Sequence, residues 1–319
     1  MNIGLIDVDH WGKLKGCFPN LPLMKLSTYY KQNDCSVEWY EDGKDYDLVF
    51  KSKVFSFTED VPVLGDVGRV EEGGTGYSIK LEEGKEIFDK EKHKNLMQDI
   101  EHCYPDYALY GITDTAYGFM SRGCPRGCDF CHVKHKEGRC SVKVADLKEF
   151  WNGQKKIELL DPNTFACKDW KDILKQLIES GAEVDFNQGV DVRILTDEKI
   201  SYLKQVRTKY IHFAFDRFQD WDIITKNLLK IKQETGWDKH VVTVYVLTNF
   251  DTTIEQDIKR CLFIRDVCGF TPYVMRYDKE HIPRGSLVNA LARWINYKPF
   301  CQTIPTFDDY LKLRKEGKI

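Results

Sequence analysis

No uninterrupted apolar run in this chain reaches the length a bilayer-crossing helix needs, so no membrane-embedded segment is expected. The opening residues MNIGLIDVDH lack the basic n-region and apolar h-region of a secretory signal, and a cytoplasmic location is expected. Charge of one sign is also missing. A formal net charge of −3 argues against a broadly basic, nucleic-acid-binding surface, although a local basic patch stays compatible with it. The lysine-rich stretch of Lys148, Lys155, Lys156, Lys168 and Lys171 reads as a solvated helical face. Without a signal peptide, the 11 cysteines are expected as free thiols and metal ligands and not as a disulfide framework. Cys17, Cys35, Cys103, Cys140, Cys167, Cys261, Cys268 and Cys301 are scattered and form no second cluster.

What is present is the stretch GCPRGCDFCHV, which sets Cys124, Cys128 and Cys131 in CxxxCxxC spacing. Thiolate is the ligand that iron–sulfur clusters and zinc select, and three so close together cannot all serve as small core hydrophobes. Three ligands is one fewer than a closed zinc site or a cubane cluster needs. Either another side chain completes the set, with Cys140, His132 or His135 as the zinc candidates, or the fourth position is open to something other than protein. Zinc modules usually pair two short ligand pairs on a small unit, whereas this triplet ends a strand and precedes a long α/β pattern.

That pattern begins at Thr115. Strands are expected at TAYGFMSR (115–122), KIELL (156–160), EVDFN (183–187), YIHFAF (210–215), HVVTVYVLT (240–248) and PYVMRY (272–277). Helices are expected over 141–151, burying Val144, Leu147 and Trp151; on the stripe Trp170, Ile173, Leu174, Leu177 and Ile178; over about 196–206; and on the sets Trp221, Ile224, Leu228, Ile231, then Ile254, Ile258, Cys261, Leu262, then Leu287, Leu291, Trp294, Ile295. Six strand-then-helix units with near-continuous apolar strands imply parallel strands buried on both faces, too few to close an eight-stranded barrel. The expected fold class is therefore α/β, a C-terminal (βα)6 partial TIM-type barrel preceded by a small doubly wound α/β domain.

That first domain is carried by strands at 3–7, 36–40 and 46–52, a helix started by Asn20 and Pro22, VGRV (67–70), the turn Gly73, Gly74, Thr75, Gly76, a charged helix near 94–102, and DYALYG (106–111). The expected boundaries are 1–112, 113–282 and 283–319.

All six later strands turn polar at their carboxyl ends, where parallel α/β proteins place their working groups. Asp161 and Asn163 follow strand two; Asn187, Gln188, Asp191 and Arg193 strand three; Asp216 and Arg217 strand four; Thr248, Asn249 and Asp251 strand five; Arg276 and Asp278 strand six.

The CxxxCxΦC motif, with Phe130 at the aromatic position and opening a run of alternating strands and helices, resembles the radical S-adenosylmethionine (radical SAM) superfamily. The resemblance covers roughly residues 115–278. It implies a [4Fe–4S] cluster on Cys124, Cys128 and Cys131, with the amino and carboxylate groups of S-adenosyl-L-methionine on the fourth iron. It further implies Asn163 near the SAM amine, Arg193 for its carboxylate, Gln188 or Asp216 for its ribose, and Phe130 with strands five and six around adenine. LLDPN stands where many members carry glycine-glycine-glutamate.

The implied reaction is one-electron cleavage of SAM to methionine and a 5′-deoxyadenosyl radical, which abstracts hydrogen from a small-molecule or peptide-like substrate. An electron donor such as flavodoxin or ferredoxin would supply the reduction. The first domain and the aromatic tail are the expected lids. The order of the N-terminal pieces is similar to the cobalamin-binding-like domain of one radical SAM branch. DVDHWG offsets His10 from that domain's DxHxxG, which counts against bound cobalamin. A cobalamin-dependent methyltransferase and a non-catalytic zinc-stabilised binding protein are the alternatives.

Overall fold

The first strand, β1 (Asn2–Asp7), is buried from Ile3 onward because it lies between two neighbours. The computed structural model describes residues 1–82 and 85–319. After β1 comes α1 (Leu21–Gln32), started as expected: the Asn20 side chain accepts from the Leu23 N–H at 3.3 Å, and Pro22 sits in the first turn. Strands β2 (Ser36–Trp39), β3 (Leu48–Ser52) and β4 (Val70–Gly73) complete a parallel sheet of order β2-β1-β3-β4.

One face packs Ile3 and Leu5 against Leu23, Leu26 and Ile100. Among the described residues the other has no helix, which departs from a doubly wound unit. It is covered by the irregular connection 53–69, which contributes Val61 to Ile6, Tyr40, Tyr46 and Val49. Pro62 and Gly65 interrupt any helical period there, and Asp9 pins the segment by accepting from Thr58 Oγ1 at 2.6 Å.

A hairpin of β5 (Ile79–Glu82) and β6 (Lys85–Phe88) follows. The charged helix expected near 94–102 shrinks to a single turn, α2 (Gln98–Glu101), because Met97 at its N-cap offers no capping oxygen. Residues 107–110 form a 3₁₀ turn closed by Gly111.

The larger sheet contains β7 (Thr115–Gly118), β10 (Lys156–Leu159), β11 (Glu183–Val190), β12 (Thr208–Ala214), β13 (Val242–Thr248) and β14 (Thr271–Arg276), all parallel and in sequential order. It does not close into a barrel. Helices α4 (Trp170–Ser180), α5 (Asp197–Leu203), α6 (Trp221–Thr235), α7 (Ile254–Leu262) and α8 (Leu287–Asn296) alternate with the strands, and α9 (Lys298–Thr303) and α10 (Phe307–Lys315) end the chain. The open edge at β14 is blunted by Asn296, whose amide accepts from the Val274 N–H at 2.8 Å and donates to the Val274 carbonyl at 2.9 Å. Among the described residues no helix is long and apolar enough to cross a membrane.

Two further expectations are corrected. Residues 141–151 do not form a helix. After the one-turn α3 (Val133–Lys136), β9 (Val142–Lys143) pairs antiparallel with β8 (Ser121–Arg122), and a 3₁₀ turn follows at Leu147–Glu149, fastened by a capping box between Asp146 and Glu149. Lys143 pairs with Asp146 and Asp172 instead of extending a helical face.

The strands, moreover, are not buried on both faces. Ile157, Leu159, Val184, Phe186, Ile211, Phe213, Val242 and Val244 pack inward, but their neighbours alternate to a half-exposed polar face.

On α7 the expected stripe packs on the core, Cys261 fully buried and Ile254, Ile258 and Leu262 half-buried, and Asp257 and Arg260 are fully buried as well.

Candidate metal centre and rim

The cysteine loop is anchored before it is reached. Asp161, at the carboxyl end of β10, accepts from the backbone N–H groups of Met120 and Ser121 at 2.7 and 2.8 Å and from Ser121 Oγ at 2.6 Å. Burial pushes this carboxyl up to about 6, against the pull of those donors. Gly123 then turns the chain at φ +87, with its Cα so close to Cys140 that a Cβ would stand 2.1 Å from the Cys140 carbonyl oxygen. The Cys124 N–H donates to the Gly138 carbonyl, which draws the far end of the loop back on itself.

Cys124, Cys128 and Cys131 are free and half-buried. Burial pushes the thiols of Cys128 and Cys131 up, with Arg193 and Arg217 working against that at Cys128. Around one tetrahedral zinc, three sulfurs at about 2.3 Å from the metal would stand roughly 3.8 Å apart. Among the described residues the set of three or more His, Cys, Asp or Glu ligand atoms mutually within 4.8 Å is Asp7, His10 and Cys17. The side chains that would complete zinc are not gathered with them: His132 faces Glu86 at 3.3 Å, and His135 and Cys140 are exposed. Thiolate-only ligation suits an iron–sulfur cluster.

The rim residues expected from sequence fall into distinct positions. Asn163 is 2% exposed; its Nδ2 donates to Cys124 Sγ at 3.4 Å, and its Oδ1 is buried without a partner. An orphaned buried acceptor beside the thiols is a place for a ligand's N–H or ammonium group. Arg193 is committed within the protein: its Nε donates to Asp191 at 2.8 Å and its Nη1 to Asp220 at 2.6 Å. Arg126, from inside the cysteine loop, donates to the other oxygen of Asp191. Burial pushes Asp191 up, but the two guanidiniums outweigh it and hold the carboxyl below its ordinary range. Asp191 thus clamps the loop to the end of β11, and a ligand carboxylate would reach Arg193 only by displacing Asp191 or Asp220.

Asp216 lies near enough to Cys128 and Cys131 to influence both thiols, and burial raises its own carboxyl to about 6. Phe130 stands edge-on to Phe250 with centroids 5.3 Å apart, and Phe250 edge-on to Tyr277 at 4.9 Å, an aromatic ladder from the loop to the ends of β13 and β14. Gln188 is exposed and donates to Asn187. The loop, Asn163, Arg193, Asp216 and Phe130 therefore converge, whereas Gln188 turns to its neighbour.

Sequence reasoning missed Arg126, Phe250 and the open face of the large sheet. There Tyr117, Glu158 and Asp185 stand side by side on β7, β10 and β11, with His212 and Tyr245 beyond them. The His212 ring stacks on Tyr245 at 5.3 Å with 7° between planes, and its Nδ1 lies 3.1 Å from the Phe186 carbonyl. Burial raises Asp185 to about 6, and its Oδ1 accepts no hydrogen bond but lies 3.7 Å from His212 Nδ1; burial and the Asp185 charge raise Glu158; and burial lowers His212. The period-two alternation of these residues was the available signal.

No protein-family model matches the chain. A CDK5RAP1-like protein of Oryza sativa subsp. japonica is 28% identical over 114 residues, which is 33% of this chain and 19% of that protein. The chain thus covers only about a fifth of that relative's length.

Proposed function

We propose that this chain is a radical SAM enzyme, with Cys124, Cys128 and Cys131 holding a [4Fe–4S] cluster whose open iron takes S-adenosyl-L-methionine. The observation that carries the reading is Asn163: a buried amide tied to Cys124, with an unsatisfied acceptor, suits an amine N–H of a ligand seated on the cluster. The short match to the CDK5RAP1-like protein fits this reading loosely. When bound, cluster and SAM together would supply one-electron reductive cleavage of the sulfonium and a 5′-deoxyadenosyl radical for hydrogen abstraction.

The residues of the chain have the following parts. Asp161 and the Asp191 clamp hold the cysteine loop at a fixed height over the sheet. Asn163 orients the SAM amine. Asp216, close to Cys128 and Cys131, faces the ribose, with Gln188 at the outer rim. Phe130 and Phe250 offer the adenine an apolar wall. The large sheet serves as a (βα)6 partial barrel over 113–282, and its polar face of Glu158, Asp185 and His212 receives a small or peptide-like substrate. The unit 1–112, of cobalamin-binding-like order but without its histidine motif, acts as a cover that keeps water out, while the helices of 283–319 pack beside α7 and β14 and serve the fold. A flavodoxin- or ferredoxin-type protein supplies the electron in the cytoplasm.

The test is anaerobic reconstitution with iron and sulfide, followed by reduction in the presence of SAM. The expected product is 5′-deoxyadenosine. A fully loaded cluster that releases none under these conditions overturns the proposal.

A further inference from the structure

Apart from the cysteine loop, one group of side chains among the described residues has the composition and the geometry of a metal site. It lies in the small sheet, at the carboxyl end of β1. There the chain leaves β1 for β2 on one side while β3 lies on the other, with Asp7 in register with Ser52. Crevices outside such a switch point are where open parallel sheets take ligands.

Asp7 is 1% exposed. Its Oδ2 accepts from the Tyr110 hydroxyl at 2.7 Å and stands 3.1 Å from His10 Nδ1; its Oδ1 is buried with no partner. Among the described residues no lysine or arginine forms an ion pair with it. A carboxylate buried in this way, with one oxygen unmatched, is costly unless a cation accompanies it. Cys17 supplies the third donor, and one ligand atom from each of Asp7, His10 and Cys17 lies within 4.8 Å of the other two. Asp7 and His10 are brought together by the 3₁₀ turn Val8–His10, and Cys17 by the return of the loop toward α1. The neighbouring Phe18 packs edge-on against Tyr117 of β7 at 5.1 Å, so this loop also touches the large sheet.

We propose that Asp7, His10 and Cys17 form a second metal site, built for Zn²⁺. A carboxylate, an imidazole and a thiolate together are borderline in softness. Calcium and magnesium favour oxygen alone, and iron–sulfur clusters favour thiolates, whereas zinc accepts all three. On binding, the Cys17 thiol, which now donates to the Leu14 carbonyl at 3.0 Å, gives its proton to solvent and turns to the metal as thiolate. Three protein ligands leave a fourth position for water or an exogenous donor, and the partly exposed His10 marks the way in. The site also gives the DVDHWG stretch a purpose: its histidine is paired with Asp7.

The test uses the full chain with Cys124, Cys128 and Cys131 replaced by serine, which removes the competing thiols, and Co²⁺ as the probe. One Co²⁺ per chain is expected, with a thiolate-to-cobalt charge-transfer absorption that equimolar Zn²⁺ abolishes. Cys17→Ser should erase that absorption, and His10→Gln should weaken Co²⁺ binding at least tenfold, with circular dichroism showing each variant folded. Absence of the absorption in the serine background, or its survival in Cys17→Ser, overturns the site. In the unsubstituted chain, saturating Zn²⁺ should slow alkylation of Cys17 by iodoacetamide at least tenfold, read by mass spectrometry; an unchanged rate overturns the site independently of any variant.

Discussion

The Asn163 amide donates to the Cys124 sulfur at 3.4 Å while its own oxygen, equally buried, accepts from nothing. An unsatisfied acceptor of this kind is stabilised only when a donor arrives, so its effect should show on the ligand more than on the fold. Asn163→Ala should leave the iron content of reconstituted protein unchanged and weaken SAM binding by up to about 10-fold, the range for one hydrogen bond to a neutral amine. Calorimetric titration of SAM into the reconstituted protein checks this. An unchanged affinity removes Asn163 from the site.

Under the proposed function, replacing any one of Cys124, Cys128 or Cys131 by serine should remove most of the bound iron and sulfide, because the cubane would lose one of its three protein ligands. Cys140→Ser should retain both, since Cys140 is exposed and not gathered with the loop sulfurs. Elemental analysis of the four variants after parallel reconstitution decides the matter. Loss of metal in Cys140→Ser, with zinc present in the unsubstituted chain, would favour a structural zinc.

Asp185 should make the protein less stable as pH rises. Burial lifts its carboxyl to about 6, above the value of roughly 4 for an unfolded chain, so between those values the folded state binds the extra proton. Its contribution is greatest below pH 4 and is lost as pH rises through 6. Asp185→Asn should therefore stabilise the protein by about 1 kcal/mol at pH 8 and have little effect at pH 4. Urea unfolding at the two values measures both; a pH-independent difference contradicts the assignment.

Arg260 is wholly buried and donates to the carbonyls of Phe215 and Leu247, to Thr252 and to Asp257, tying the ends of β12 and β13 together directly under the rim. Arg260→Met leaves Asp257 charged and unpaired in the interior, and should cost about 3–5 kcal/mol in urea unfolding. The double change Arg260→Met with Asp257→Leu should recover much of that, since removing both charges leaves none uncompensated. Equal destabilisation of single and double variants would show that the carbonyl contacts dominate.

Much of the large sheet was legible because its signals are local. The stripe Ile173, Leu174, Leu177 repeats at the helical period, and apolar runs recur at regular distance. The helix expected over 141–151 failed for a reason that is also local, yet weighed by distant partners: Lys143 and Leu147 bond to Asp172 and Gln176 across the connection, and that contact outweighs modest helical propensity. Arg260 was invisible as a core residue, since an arginine is buried only where several acceptors converge.

The chain by itself determined the cysteine spacing, the strand-and-helix alternation and the polar character of the strand ends, because each depends on residues a few positions apart. Only the tertiary structure decided that Arg126 and Arg193 share Asp191, that Asn163 meets Cys124, and that Asp7 is sealed beside His10 and Cys17. Those relationships rest on burial and on charges brought together from separate strand ends. The cost of desolvating a carboxylate, and the partner that offsets it, exist only once the sheets have formed.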